Sequence, residues 1–388
     1  MKEEKLLTPE FDQHLLFIGD HKQDYGTWEQ IGQELNQTYD CNHSESFYRK
    51  RYHKLKETEF EQSGYMNQAW RSAMERKKLQ TEKLELNRWI TEQSRYEQIL
   101  ERITDSIDHL TPLSIPEDLD AMEDQSQRAA VLCISDCHYG VEFTIYDLNN
   151  KVINSYSPEI FEKRMWTVFN RVLSIIKKEK FTKLYIFSLG DDIDGLLRVG
   201  QLAKLRYGVI ESTIRYAYFM ANWLNELSKH VAIEFHITHG NHSELRLLGQ
   251  PKYTFQKENM GFVISVFLQL MLDKNPNFKL ITNQTGLIYA EIVGLNILGI
   301  HGEVKDLATA LNEYSTFYNK NLDIVIGGHL HHEATKNVGI NKDVIRVPGL
   351  IGVEDFSARL IRNSNPGCSL LVLEQGKGRT INYFIKVK

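Results

Sequence analysis

Five short clusters of carboxylate, imidazole and amide side chains recur along the C-terminal part of this 388-residue sequence. In chain order they are D-C-H at 136–138, G-D-D-I-D at 190–194, G-N-H at 240–242, H-G at 301–302 and G-H-L-H at 328–331. Apolar, strand-like runs lead into these clusters, and α/β proteins gather their functional groups at such strand ends. Carboxylates and imidazoles that meet there can bind divalent cations.

The spacing within two clusters favours such a meeting. Residues two apart on an extended segment project to the same side, so Asp136 and His138 can reach one point, as can His329 and His331. Mixed oxygen and imidazole donors suit manganese, iron or zinc better than the all-oxygen shells of calcium and magnesium. A carboxylate shared by two ions, for which we predict Asp191, would help clamp a phosphoryl group and lower the pKa of a bridging water molecule.

The elements that must position these clusters are predicted from apolar periodicity. Between the first two strands, apolar residues at helical spacing from Phe161 to Ile176 indicate an amphipathic helix. Single strands or strand-like segments are predicted at 130–135, 184–189, 231–238, 287–300, 324–327 and 344–348, with a closing hairpin over 369–387. Apolar strands separated by helices predict an α/β sandwich with buried sheets.

In their order, the five clusters resemble the D-x-H, G-D-x-x-D, G-N-H, H and G-H-x-H signature of the calcineurin-like metallophosphoesterase superfamily, over residues 129–388. The resemblance implies a β-sandwich flanked by helices that holds two divalent metal ions, manganese first, with iron or zinc as alternatives. It implies one ion bound by Asp136, His138, Asp191 and His331. It implies a second ion bound by Asp191, Asn241, His301 and His329.

The same resemblance implies a catalytic pair. His242 is expected to stabilise the phosphorane-like transition state or to protonate the leaving oxygen, and Asp194 to orient its ring. Asp192, between two functional positions, is expected to face solvent or to support the loop. The chain departs from the family pattern at Ser243, which separates the G-N-H cluster from the acidic Glu244. That departure leaves the predicted metal ligands unchanged.

Residues 1–56 have the outline of a helix-turn-helix domain. Thr27 and Gln30 form a capping box that starts one helix, and a basic helix follows from Ser44 after a polar break. A charge run on a helix is also typical of a solvated face, so DNA contact and a plain surface helix both fit this pattern. The residues predicted to bind nucleic acid are Arg49, Lys50, Arg51, Lys54 and Lys56.

Two further segments complete the predicted layout. Residues 57–104 lack proline and are rich in Glu, Lys, Gln and Arg, which favours one long helix or a helical hairpin. Its apolar stripe, which includes Trp70 and Trp89, needs a partner surface, so we predict a coiled-coil arm that permits homo-oligomers. The acidic, proline-containing residues 105–128 are predicted to be a linker.

Composition limits what the chain can be. Hydrophobic residues make up 42% and charged residues 25%, as in ordinary soluble globular proteins. The net charge of -5 gives no global attraction to nucleic acid, so DNA binding would need a local patch or metal ions. No run reaches the roughly 18 apolar residues of a membrane span, and the four cysteines lack C-x-x-C spacing. We therefore expect a cytoplasmic protein with free thiols and no membrane contact.

The predicted site specifies a reaction class, in which metal-activated water attacks phosphorus and a P–O bond breaks. The attached helical regions favour nucleic acid as the substrate. The layout resembles the nuclease branch of the superfamily and phage-encoded putative DNA nucleases with an N-terminal helix-turn-helix. The leading hypothesis is a DNA endonuclease or exonuclease. One alternative is a phosphomonoesterase or cyclic-nucleotide phosphodiesterase, and another is a non-catalytic DNA-binding or regulatory protein that retains the fold.

Overall fold

The computed structural model describes residues 8–62, 68–123, 126–195, 204–244, 259–304, 306–354, 358 and 364–388. The chain divides into two compact units, Met1–Glu97 and Gln98–Lys388. None of the helices in these ranges combines the length and the apolar content that crossing a bilayer would require.

The N-terminal unit is helical. Its first four helices are α1 (Pro9–Asp20), α2 (Lys22–Tyr25), α3 (Trp28–Thr38) and α4 (Glu45–Gln62). The predicted capping box is confirmed, because the Thr27 amide donates to Gln30 Oε1 at 2.8 Å and the Gln30 amide donates to Thr27 Oγ1 at 3.4 Å. Helix α1, which the sequence analysis missed, packs with α3 and α4. Their shared core contains Phe11, Leu15, Ile18, Ile31, Leu35 and Tyr48.

The predicted arm is a long helix with a different start and end. Helix α5 spans Gln68–Asp108, and residues 63–67, between α4 and α5, lie outside the described ranges. Absence of proline and a high share of strong helix formers explain its length. The helix continues beyond residue 104, where the arm was predicted to end.

The predicted linker at 105–128 is largely attached to the C-terminal unit. Asn277 Nδ2 donates to the Glu117 carbonyl at 2.6 Å, and the Leu119 amide donates to Asn277 Oδ1 at 2.8 Å. Leu110 and Leu113 pack against the core of the unit. Partners about 160 residues away therefore hold the predicted linker against the C-terminal unit.

Two sheets and a small hairpin form the C-terminal unit. The six-stranded sheet has the order β13-β12-β1-β4-β5-β6, and its strands in chain order are β1 (Arg128–Ile134), β4 (Lys183–Ser188), β5 (Ala232–Ile237), β6 (Phe278–Ile281), β12 (Gly367–Glu374) and β13 (Gly378–Lys386). The five-stranded sheet has the order β10-β11-β9-β8-β7, with β7 (Ile288–Ile292), β8 (Leu295–Ile300), β9 (Ile324–Gly327), β10 (Ala334–Gly339) and β11 (Lys342–Arg346). The hairpin pairs β2 (Phe143–Tyr146) with β3 (Val152–Tyr156).

The sheets pack face to face with helices outside. Buried residues of both sheets, including Val131, Phe187, Ile297 and Ile326, fill the space between them. The other face of the six-stranded sheet is covered by α6 (Pro158–Glu179), α7 (Val209–Ser228) and α8 (Met260–Leu272), and that of the five-stranded sheet by α9 (Leu307–Phe317). The predicted α/β sandwich flanked by helices is confirmed.

Parallel pairing places the predicted clusters at one edge of each sheet. Strand β4 pairs in parallel with β1 and β5, so the segments after these strands emerge at the same edge. In the other sheet, β8 pairs in parallel with β9, which brings 301–302 near 328–331. The segment 287–300, predicted as continuous, is a hairpin that turns at Val293 and Gly294, both with positive φ.

Candidate metal centre

The seven predicted ligands come together where these strands end. Asp136, His138 and His331 form one cluster, in which one ligand atom of each residue lies within 4.8 Å of the others. Asp191, His301 and His329 form a second cluster by the same measure. The predicted ligand Asn241 joins the second cluster, because its Oδ1 lies 3.1 Å from His301 Nε2.

Asp191 connects the two clusters. Its Oδ2 lies 3.1 Å from His301 Nε2 and 3.8 Å from His138 Nε2. Its other oxygen, Oδ1, accepts a hydrogen bond from the His242 amide at 2.8 Å, which fixes the plane of the carboxylate. One carboxylate oxygen therefore faces both clusters, which allows Asp191 to be shared between two ions.

The first cluster contains buried donor atoms without hydrogen-bond partners. Asp136 Oδ1 lies 3.3 Å from His331 Nε2 and 3.9 Å from His138 Nε2. Within the described ranges, neither Asp136 Oδ1 nor His138 Nε2 makes a hydrogen bond. Buried polar atoms are rarely left in this state, because losing water without a replacement is costly. A divalent cation between the two atoms would satisfy both.

In the second cluster, imidazole nitrogens face each other. His301 Nδ1 lies 2.9 Å from the Leu189 carbonyl oxygen, so its Nε2 is turned towards Asp191. His329 Nδ1 lies 3.1 Å from the same Nε2. Two ring nitrogens at this distance need a proton or a cation between them. The nitrogen and oxygen donors of the two clusters fit divalent ions of intermediate hardness.

Backbone conformation at the ligands is unusual. Asp136, His138, Asp191, His329 and His331 all have positive φ, between 43° and 66°. Residues other than glycine adopt this region infrequently, at a cost of roughly 1–3 kcal/mol each in strained cases, and such residues concentrate at functional sites. Hydrogen bonds between the first two loops support the conformation, with the His138 amide donating to the Asp191 carbonyl at 2.8 Å.

Two glycines beside the ligands allow close approach to the carboxylates. A Cβ atom added at Gly240 would lie 2.0 Å from Asp191 Oδ1. One added at Gly328 would lie 1.8 Å from Ser135 Oγ and 2.9 Å from Asp136 Oδ2. The absence of a Cβ lets the next residue donate its amide to Asp136 Oδ2, at 3.0 Å. A side chain at either position would displace a ligand.

The predicted catalytic pair is in contact. His242 Nδ1 is hydrogen-bonded to Asp194 Oδ1, and that oxygen also lies 3.5 Å from His138 Nδ1. His242 Nε2 is turned towards the centre, 4.0 Å from Asp191 Oδ2. This is the contact that an orienting role for Asp194 requires. It leaves the other ring nitrogen of His242, Nε2, turned towards Asp191.

The pKa values of the carboxylates and imidazoles at the centre are shifted by their mutual contacts. Burial alone would raise the pKa of Asp191, but His301 and His242 outweigh it and hold that pKa well below its usual value. Burial would lower the pKa of His301, whereas Asp191 raises it to about 10. The carboxylate is therefore ionised, and protonated imidazole balances it. Metal binding would displace such protons, because ligands bind in their deprotonated form.

Two residues support the ligand loops, and only Asp192 was identified from the sequence. Asp192 is buried, so of its two expected roles the support of the loop is correct and solvent exposure is wrong. It accepts hydrogen bonds from Ser188 Oγ and Tyr216 Oη, both at 2.8 Å, and burial raises its pKa to about 6. Ser135 donates to Asp136 Oδ2 at 2.6 Å. Only the position of Ser135 beside a ligand could have indicated this contact.

The predicted DNA-binding residues of α4 are not all available to a ligand. Arg51 forms two hydrogen bonds with Asp12, at 2.6 and 3.0 Å, and Lys56 Nζ lies 2.6 Å from Asp20 Oδ2. Arg49 lies 3.5 Å from Glu45. Lys50 and Lys54 are exposed, and no ion pair is seen for them in the part of the chain that the structure describes.

Comparison with known proteins links most of the chain to a prophage-derived protein. Residues 4–64 match the family model of the YonJ N-terminal domain, and residues 73–110 match that of the YonJ coiled-coil domain. The chain is 30% identical over 374 residues to the SPbeta prophage-derived uncharacterized protein YonJ of Bacillus subtilis (strain 168). That alignment covers 92% of this chain and 91% of the relative, so it includes both units.

Solved structures with a similar fold match about two thirds of the chain. Zinc-bound Vps29 from Entamoeba histolytica is 16% identical, with a TM-score of 0.31, over 66% of this chain and 98% of that chain. A dimetal phosphatase from Danio rerio is 12% identical, with a TM-score of 0.32, over 67% of this chain and 99% of that chain.

Proposed function

The chain belongs to the YonJ family, and we propose that it is a dinuclear-metal phosphodiesterase that acts on DNA. The observation that carries the proposal is the convergence of two carboxylate and histidine clusters on Asp191. Asp136 Oδ1 and His138 Nε2, which make no hydrogen bonds within the described ranges, supply the unsatisfied donor atoms. Two divalent ions, when bound, would polarise phosphoryl oxygens and lower the pKa of a water molecule.

In this proposal the site contains seven metal ligands and one proton donor. Asp191 would be shared by both ions, and the other six predicted ligands would each bind one of them. His242 would hold a proton near the leaving oxygen, with Asp194 fixing the ring through Nδ1. The loop glycines and positive-φ ligands keep these groups in place before the substrate arrives, so little reorganisation is needed.

The helical N-terminal unit supports DNA as the substrate. Helix α4 follows α3 after the short segment 39–44, as the predicted helix-turn-helix unit requires, and Lys50 and Lys54 on α4 are exposed. A nuclease gains from a unit that holds the duplex, whereas a phosphatase of small molecules does not. The relative YonJ is a prophage-derived protein, and handling of DNA is a general need of phage genomes.

The decisive experiment measures metal content and substrate range together. The purified chain is supplied with manganese and assayed on supercoiled plasmid, linear duplex DNA, single-stranded DNA and p-nitrophenyl phosphate. We expect DNA cleavage and about two metal ions per chain. Rapid hydrolysis of the small monoester with all DNA intact would instead indicate a phosphomonoesterase. Less than about one bound ion and no manganese-dependent turnover would indicate a non-catalytic protein.

The variant Asp191→Asn tests whether Asp191 is shared by both ions. The amide keeps the shape of the side chain and an oxygen for the His242 amide, so the fold is retained, but it removes the charge that faces both clusters. We expect the loss of both ions, measured by elemental analysis. An unchanged metal count would contradict the shared role. Asp147→Asn, in the β2–β3 turn, is the control, because Asp147 only accepts amide hydrogen bonds from its own turn.

A second copy of the chain is the proposed partner of α5. Leu79, Leu86, Trp89 and Leu100 have exposed side chains, and three of them are spaced in multiples of seven residues. That spacing places them on one seam of a coiled coil. Leu86→Glu combined with Leu100→Glu should shift the protein to monomers in sedimentation experiments. Leu148→Glu, at an exposed loop position, should not. A monomeric unmodified chain would contradict the proposal.

A further inference from the structure

A cavity of about 990 Å³ opens beside the metal centre. Its walls come from α8, α9, the segment 282–287 and the loops that follow β5 and β8. Asn241 and His301, ligands of the second cluster, are part of its lining. His138 and His242 do not belong to the described lining. The cavity therefore adjoins the second cluster and not the first, and its volume suits a ligand of drug or nucleotide size.

The lining carries almost no charge. Among the described lining residues there is no lysine or arginine, and the only carboxylates are Glu244 and Glu303. A groove that follows a phosphate backbone is positively charged, because each phosphate must be neutralised. The described lining offers no cation of that kind, so an uncharged part of the substrate suits these walls better than further phosphates.

Uncharged hydrogen-bonding groups surround the cavity. Side-chain amides, which are donors and acceptors at once, hydrogen-bond the edges of nucleobases. Those in the lining, besides the predicted ligand Asn241, belong to Asn259, Gln269, Asn283 and Gln284. Asn259 already forms hydrogen bonds with Gly240 and Gly261, and Asn283 Oδ1 accepts from Thr285. Within the described ranges, Gln284 and the side-chain oxygen of Gln269 remain available to a base. Hydroxyl groups of threonines lie among them, at Thr238, Thr282 and Thr285.

An exposed aromatic ring lies on the same wall. Phe262, near the start of α8, has 62% of its surface exposed although it lines the cavity. Val266 and Leu280 add apolar surface beside it, and Tyr314 of α9 contributes a second aromatic side chain. Aromatic side chains stack on the faces of unpaired bases. A planar base with polar edges matches both the ring and the amides.

We propose that this cavity binds the nucleoside that stays attached to the phosphate, an inference that rests on the proposed phosphodiesterase function and adds its substrate class. In the reaction, a water oxygen bonds to phosphorus, the bond to the leaving oxygen breaks, and that oxygen takes a proton. His242, the proposed proton donor to the leaving oxygen, contacts Asp194 and lies outside the described lining. The leaving group is therefore placed away from the cavity, and the group in the cavity is the one that phosphorus retains. The product is a nucleoside monophosphate end.

The proposal implies a preference for unpaired substrate. A base can enter a cavity of this kind only after it has left the helical stack, and single-stranded DNA or a frayed end requires the least energy for that step. We expect single-stranded DNA to be cleaved faster than intact duplex. Equal rates on both forms would contradict the proposal.

The test compares two chromogenic esters that differ only in the retained group. Thymidine 5′-(p-nitrophenyl phosphate) carries a nucleoside, and methyl p-nitrophenyl phosphate carries a methyl group, while both release p-nitrophenol. We expect a higher kcat/KM for the thymidine ester, and Phe262→Ala should lower the ratio of the two values on the order of tenfold. Phe317→Ala is the control, because Phe317 is 79% exposed on α9 and is not part of the lining.

Binding of thymidine 5′-monophosphate, measured by calorimetry, separates this proposal from the proposed function. Weaker binding by Phe262→Ala than by Phe317→Ala would support the cavity as a nucleoside site, whether or not either ester is hydrolysed. Equal binding by both variants and the unmodified chain would overturn it. Failure to hydrolyse both esters, together with intact DNA, would count against the phosphodiesterase function alone.

Discussion

The metal centre and helix α4 both concentrate polar side chains, but only in the centre do those groups remain available. At the centre, Asp136 Oδ1 and His138 Nε2 are buried and make no hydrogen bonds within the described ranges. On α4, Arg51 and Lys56 are paired with carboxylates of α1. A polar residue type therefore indicates a ligand site only where the fold leaves its atoms unsatisfied. Lys50 and Lys54 are the exception on α4.

The largest expected effect is the loss of turnover in a variant of the proposed proton donor, His242, which is not a proposed metal ligand. His242→Ala should lower turnover by about 10²- to 10⁴-fold, because it removes the proposed proton donor. The metal content should stay nearly unchanged, since His242 is not a proposed ligand. Turnover and elemental analysis of the same preparation measure both effects.

His230→Ala is the control for that variant, because His230 is an exposed histidine outside the centre. Its turnover should match that of the unmodified chain. Loss of both ions from His242→Ala would contradict this assignment, because it would make His242 a metal ligand instead of a proton donor only.

A smaller effect is expected when the two exposed lysines of α4 are removed. Lys50→Ala combined with Lys54→Ala should weaken DNA binding by about tenfold, and should lower the slope of log affinity against log salt by up to about two. Hydrolysis of the small esters should not change, because neither lysine lies at the centre. Fluorescence anisotropy at several salt concentrations measures the affinity.

Arg51→Ala gives the contrasting result, and its effect is the smallest. Arg51 and Asp12 are partly buried, with about a fifth of each side chain exposed, so losing their pair should lower the free energy of unfolding by about 1 kcal/mol. Denaturant unfolding checks this value. We expect the lysine variant to lose DNA affinity but not stability, and Arg51→Ala to lose stability but not DNA affinity. Identical responses of the two variants would contradict the distinction between exposed and paired basic residues on α4.

Local signals were predicted well. The capping box at Thr27 and Gln30, the strand at 324–327 and the order of strand and cluster all depend on residues close in the chain. Hydrophobic periodicity and turn chemistry act over the same short range, so they can be recognised without the fold.

Contacts between distant residues were not predictable in this way. Asn277 holds the segment at 117–119 through hydrogen bonds that span about 160 residues, and nothing in the acidic composition of that segment indicates them. Arg51, which was predicted to bind DNA, meets Asp12 across 39 residues in an ion pair that no local pattern indicates. The hairpin β2–β3 was missed, because its strands are only four and five residues long and lack a continuous apolar run.

The sequence by itself determined which side chains can bind metal and that they follow strands, because residue type and periodicity are properties of short segments. Only the tertiary structure decided that Asp191 Oδ2 lies within reach of both His138 and His301, and that a cavity whose described lining holds no lysine or arginine opens beside His301. Parallel pairing of strands far apart in the chain creates those distances. No local pattern can specify them.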